Sequence, residues 1–241
     1  MRVLLTGAAG RIGTVVCSGL VDRGYDVVGL DRMVEPEGFT GGWFTADCAG
    51  PDAVAAVFVR AMATGGLDAM VAHRVNRIVY ASSNHAVGRT PRTDLLGTDV
   101  RPRPDMFYGV GKVAAEALLS LYVDRYGIDA VATRIGSFLA QPESRRTLST
   151  WLSHDDAVRM VDACLTAPDP GFAVIYGISA NTRAWWDLEP GRALGYHPQD
   201  DAEQFAAAVE QTPATEEDEV EARHVGGPHV TETFFRPALD G

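Results

Sequence analysis

Tyr108 and Lys112 stand four residues apart in MFYGVGKVAAEALL, a spacing that puts both side chains on one face of a helix. A phenol with its ordinary pKa near 10 is a poor base at neutral pH, and bringing it to about 7 takes roughly 4 kcal/mol. An ammonium held beside it acts in that direction. The tyrosinate so made can take a hydroxyl proton. Upstream of Tyr108, the apolar run RIVYA (77–81) passes directly into Ser82, Ser83, Asn84 and His85. Ser and Asn are common at strand exits, and Tyr and Lys share helix faces in many proteins, so neither feature identifies a site alone.

A third feature gives them a context. LLTGAAGRIG places Gly7, Gly10 and Gly13 directly after a strand-like run and at the opening of a helix-period segment. Glycines there permit a tight turn, close approach of the backbone to a pyrophosphate and tight helix–sheet packing, while the helix N-terminus favours the negative charge. Asp31 follows at the end of the next apolar run, where an acid accepts hydrogen bonds from an adenosine ribose. Strand, loop, helix, strand and acid in that order predict dinucleotide binding. The Asp31 carboxylate would repel a 2′-phosphate despite the neighbouring Arg32, so NAD is favoured over NADP. The positive nicotinamide ring of NAD would also help to lower the phenol.

The elements that must position these groups follow an α/β pattern. RVLLT (2–6), YDVVGL (25–30), GWFTA (42–46), RIVYA (77–81) and IDAVATRI (128–135) read as strands. Helices are expected over 11–23 with Ile12, Val15, Val16 and Leu20 inward, over 51–62 behind Pro51, over 105–126 with Asp105 as N-cap, and over 153–165 capped by Ser153. The fold class is therefore α/β, a doubly wound parallel sheet. The 241 residues fit one Rossmann-like domain, divided into a dinucleotide core (1–135), a substrate-side region (136–210) and an acidic tail (211–241) without core periodicity.

One stretch is short. A strand–helix–strand unit needs roughly 30 residues, and residues 47–76 must already hold the helix at 51–62 and GLDAMVAHRV (66–75). The second segment reads better as a helix end, a short loop and then the strand RIVYA than as a strand of its own. On that reading one strand and most of one helix of a full doubly wound sheet are absent.

Bulk properties narrow the partners. A formal net charge of -11 argues against nucleic acid or an anionic membrane, and any anionic substrate then needs cations placed on purpose. No apolar stretch approaches the ~20 residues that span a bilayer, and MRVLLTGAAG is no signal peptide. The three cysteines, Cys17, Cys48 and Cys164, show neither metal-ligand nor disulfide spacing, so a reducing cytoplasm is expected. His154, Asp155 and Asp156 read as a helix start, and Trp185 and Trp186 as packing. His197, His224 and His229 lack partners at ligand spacing, so no metal is expected.

The glycine loop, Asp31, the serine and Tyr-x-x-x-Lys together resemble the extended short-chain dehydrogenase/reductase superfamily. ASSNHAVG, YGVGK, TRIGSF, RRTLSTWLSHDD and YGISANTRAWW narrow the resemblance to bacterial uronate dehydrogenases. It implies NAD-dependent oxidation of galacturonate or glucuronate at the anomeric carbon to an aldarolactone, by a homo-oligomer with a small C-terminal substrate region. Aligning on Gly88 makes Ser83 the catalytic serine beside Tyr108 and Lys112. The resemblance puts Ser83, Asn84, His85, Tyr108, Ser137 and Arg146 on the sugar. It puts Gly7, Gly10, Arg11, Ile12, Gly13 and Asp31 on NAD, with Asp47 and Cys48 flanking the adenine and Tyr108 and Lys112 at the nicotinamide end. Arg146 also has a chemical case, because a guanidinium binds a uronate carboxylate bidentately. The relatives carry a further central strand and helix at the short stretch. Two other readings stay open at this point: a nucleotide-sugar epimerase or dehydratase, and a non-catalytic dinucleotide-binding protein.

Overall fold

The computed structural model describes residues 1–45, 66–211 and 213–231. Strand β1 (Arg2–Thr6) leads through the glycine loop into helix α1 (Arg11–Asp22), followed by β2 (Asp26–Asp31) and β3 (Gly42–Thr45). After α2 (Gly66–Ala72) come β4 (Arg77–Ser83), a single 3-10 turn (Asn84–Val87), the long helix α3 (Phe107–Tyr126) and β5 (Asp129–Ile135). A short strand β6 (Ser137–Phe138), one helical turn α4 (Thr147–Thr150), strand β7 (Trp151–Leu152), helix α5 (His154–Thr166) and β8 (Phe172–Gly177) build the substrate side. The expected helix at 51–62 and the end of the third strand lie outside the described residues.

The strand pairings among the described residues are parallel, as alternating strands and helices require. They form two three-stranded sheets, β1-β2-β3 and β4-β5-β8, beside the small β6-β7 pair. Among the described residues no strand joins β1 to β4. A doubly wound sheet reverses its strand order at this point. Alternate residues of β1 are exposed, Leu4 by 62%, where central parallel strands are normally covered on both faces.

Helix α5 holds the halves together. Its Met160 and Cys164 pack with Val131, Ile135 and Ile175 of the second sheet, while Val161 and Leu165 pack against Val16, Cys17 and Leu20 of α1. Ile12 touches both clusters. Each fully buried large aliphatic side chain stabilises the fold by about 1.5–3 kcal/mol relative to exposure, so this shared seam ties the two sheets together. Ser153 caps α5 by accepting from the Asp156 amide, as its sequence suggests. Trp185 and Trp186 stack on each other at 4.0 Å in a buried cluster. The N-cap of α3 is Met106 and its side chain makes no cap bond, so Asp105 is not the cap; its carboxylate is engaged elsewhere.

Candidate active site

The glycine loop is built as its residues require. Gly7 adopts a left-handed φ of 70°, and a Cβ on Gly13 would overlap the Gly7 carbonyl. The start of α1 is thereby drawn against the loop, with its first amides free for an anion. Asp31 accepts from the Ala9 amide at 2.9 Å and the Met33 amide at 3.0 Å. Those two bonds, Met33 first, hold its carboxyl below the usual range, so an anion stands at the ribose end of the loop. Arg11 is exposed, whereas the Ile12 side chain packs against the core. This cradle and its acid fit NAD. Asp47 and Cys48 lie outside the described residues.

At the other sheet, β4 delivers its terminal polar residues to different places. Ser82 is buried and donates to Glu116, which in turn receives two bonds from Arg134 at 3.1 and 2.8 Å. That ion pair locks α3 against β4 and β5. Ser83 points the other way, accepts from the His85 amide at 3.2 Å, and lies beside the Tyr108 phenol, which it pulls downward. Lys112 donates to the Ala81 carbonyl at 2.7 Å, with its ammonium 5.1 Å from the Tyr108 ring centre. The structure thus brings Ser83, Tyr108 and Lys112 together. Burial, the larger influence, nevertheless raises the phenol above its ordinary value, opposite to the expected direction. Burial likewise lowers Lys112. NAD, when bound, would add a positive charge that acts to lower the phenol.

Arg146 stands at the C-terminal side of this group. It donates to the Val225 carbonyl at 2.7 Å and reaches Ser137 Oγ at 3.4 Å and Thr150 Oγ1 at 3.5 Å. Ser137 and Thr150 share a further bond of 2.8 Å. All three partners are neutral oxygens. None of the ion pairs among the described residues includes Arg146. Burial holds its guanidinium below the ordinary value, and the Glu221 and Asp105 charges act on it only from a distance.

Sequence reasoning missed two contributors. Part of the acidic C-terminal segment packs on the site: Val225 is fully buried, its carbonyl accepts from Arg146, and Asn84 Nδ2 lies 3.5 Å from the same oxygen. His229 meets His85 edge to face, with ring centres 4.9 Å apart. Asp105 is the second, bound to His85 at 2.7 Å. The doublet of glycines between histidines in RHVGGPHV was the available signal for the first, and Asp105 was hidden by its resemblance to a helix cap.

Residues 3–65 and 60–154 match the model of the NAD dependent epimerase/dehydratase family. A uronate dehydrogenase of Agrobacterium fabrum is 35% identical over 98% of both chains. The chain belongs to this family and, within it, to the uronate dehydrogenases. The solved structure of a mutant uronate dehydrogenase from Agrobacterium tumefaciens complexed with NAD superposes with a TM-score of 0.82, at 35% identity over 98% of this chain and 99% of that one. A glucuronic acid dehydrogenase from Chromohalobacter salexigens gives 0.83 at 32% identity, over 95% and 96%. The two family matches meet at residues 60–65. With 98% of 241 residues spread over 265 aligned positions, roughly thirty positions of the A. fabrum relative have no counterpart here, about one strand–helix unit.

Proposed function

We propose that the protein oxidises galacturonate or glucuronate at the anomeric carbon. Hydride passes from that carbon to NAD, the hydroxyl proton passes to the Tyr108 phenolate, and the sugar leaves as an aldarolactone. Ser83 holds the reacting oxygen, Lys112 holds the nicotinamide ribose and the phenol, and Asn84, His85 and Ser137 take further sugar oxygens. Arg146 pairs with the carboxylate at the far end.

The observation that carries this reading is the Arg146 guanidinium, partly buried beside the tyrosine–serine group with only neutral partners. A desolvated cation with no carboxylate at ion-pair distance among the described residues, in a chain of net charge -11, favours an anionic ligand. Membership among the uronate dehydrogenases supports the same substrate class.

A cytoplasmic homo-oligomer is part of the proposal. No helix among the described residues is long and apolar enough to cross a membrane, and Phe107, Val110 and Leu121 form an exposed apolar stripe along α3 that supports self-association. The division into a core (1–135), a substrate side (136–210) and a tail (211–241) also belongs to it. NADH formation with free galacturonate, glucuronate, galactose and a nucleotide sugar tests the reading. Turnover of the two uronates is expected. Turnover of the nucleotide sugar alone, or of nothing despite NAD binding, contradicts it.

A further inference from the structure

His85 has two ring nitrogens, and its neighbours decide which one meets the sugar. Nδ1 lies 2.7 Å from Oδ2 of Asp105. The Asp105 side chain has no solvent exposure, and its Oδ1 makes no hydrogen bond among the described residues. Two glycines from distant segments close on it: a Cβ on Gly88 or on Gly226 would overlap the carboxylate, and the Gly226 amide bonds the Gly88 carbonyl at 2.7 Å. Burying a carboxylate is costly unless it is paired, yet the fold reserves this enclosure for one that is hydrogen-bonded to His85.

We propose that Asp105 is a positioning residue that fixes His85 as the Nδ1-protonated tautomer, presenting Nε2 to the sugar as a hydrogen-bond acceptor. The inference rests on the reading of His85 as a sugar contact. An ionised carboxylate can only accept, so the proton between the two groups sits on Nδ1, and a neutral ring then carries its lone pair on Nε2. The ring plane is fixed from two further sides, by Tyr108 at 6.1 Å and His229 at 4.9 Å between centres, both edge to face. A fixed acceptor selects a sugar hydroxyl in the position to donate. It also rejects an analogue that offers only an acceptor there. The C-terminal segment takes part through Gly226, which closes the pocket around Asp105, and through His229.

Two measurements on the full chain test this. Long-range nitrogen-15 NMR of the histidine rings, at about pH 8 and above the ordinary histidine range, with His85 assigned by its loss in His85→Gln, reads the tautomer directly. Nδ1–H with a bare Nε2 is expected; a proton on Nε2 overturns the proposal. Steady-state kinetics on Asp105→Asn, His85→Gln and the double variant read the coupling. Asp105→Asn, close in shape and able to present an amide N–H to the ring, should lower kcat/KM for galacturonate about tenfold, the size of one misdirected hydrogen bond, with NAD binding unchanged. In the His85→Gln background the same change should do almost nothing. An equal loss in both backgrounds means that Asp105 supports the fold and overturns the positioning role. An unaltered chain that turns over no uronate overturns the functional reading instead, while the ring NMR still decides the tautomer.

Discussion

Gly109 lies directly against the backbone carbonyl of His85, so closely that a Cβ at 109 would overlap the oxygen. The contact gauges the start of α3 against the turn that follows β4. Tyr108 precedes this glycine and Ser83 precedes the turn, so one close approach sets the distance between base and serine. Adding a methyl there presses on backbone, which cannot swing aside. Gly109→Ala should cost about 1–3 kcal/mol of stability, as overpacking does, and lower turnover further by moving Tyr108. Thermal unfolding and kcat check it; an unchanged kcat would separate the contact from the chemistry.

Tyr108→Phe removes only the proton acceptor. Turnover should be abolished while NAD binding stays largely intact. The phenol must lose its proton to act, and burial raises it, so activity should climb with pH as the phenol ionises. Lys112→Ala removes a cation next to the ring and should shift that climb to higher pH while also weakening NAD. A Tyr108→Phe variant that retains more than a small residue of activity would point to another base.

Asp31 supports a preference for NAD. Its carboxylate holds the loop through Ala9 and Met33 and stands where a 2′-phosphate would have to fit. Asp31→Asn should weaken NAD binding and narrow the preference over NADP, read as the ratio of kcat/KM for the two cofactors. Equal use of NADP and NAD by the unaltered protein would defeat the assignment.

Much of this was legible in the sequence because the signals are local. Gly7, Gly13 and Asp31 sit within one strand–helix–strand unit, and Tyr108 and Lys112 on one helix. The short stretch at 47–76 was legible too, since a count of residues leaves little room there for a further strand–helix unit. The His85–Asp105 pair and the arrival of Val225 at Arg146 were not, because each joins residues far apart in sequence through tertiary packing. Asp105 was also misread for a physical reason: an acid just before a helix usually caps it, and here the carboxylate is drawn off by a histidine.

The short stretch predicts a coupling between mass and activity. A chain that lacks the unit should turn over uronates, but more slowly than a relative that carries it. A protein with full turnover should instead carry the unit and exceed 25.8 kDa by several kilodaltons. Intact mass spectrometry and a uronate assay on one sample decide it. Full turnover at 25.8 kDa would show that the strand contributes little.

In the proposed reaction Arg146 reads the sugar carboxylate. Replacing it with alanine leaves that anion desolvated and unpaired, a loss on the order of 2–5 kcal/mol by analogy with buried charge pairs. Galactose has no carboxylate and should feel the change little. The most direct test is therefore kcat/KM for galacturonate and for galactose, in the unaltered protein and in Arg146→Ala. A large fall for galacturonate and a small one for galactose are expected. An equal fall for both would mean that Arg146 serves the fold through Ser137, Thr150 and Val225, and that the anion is read elsewhere.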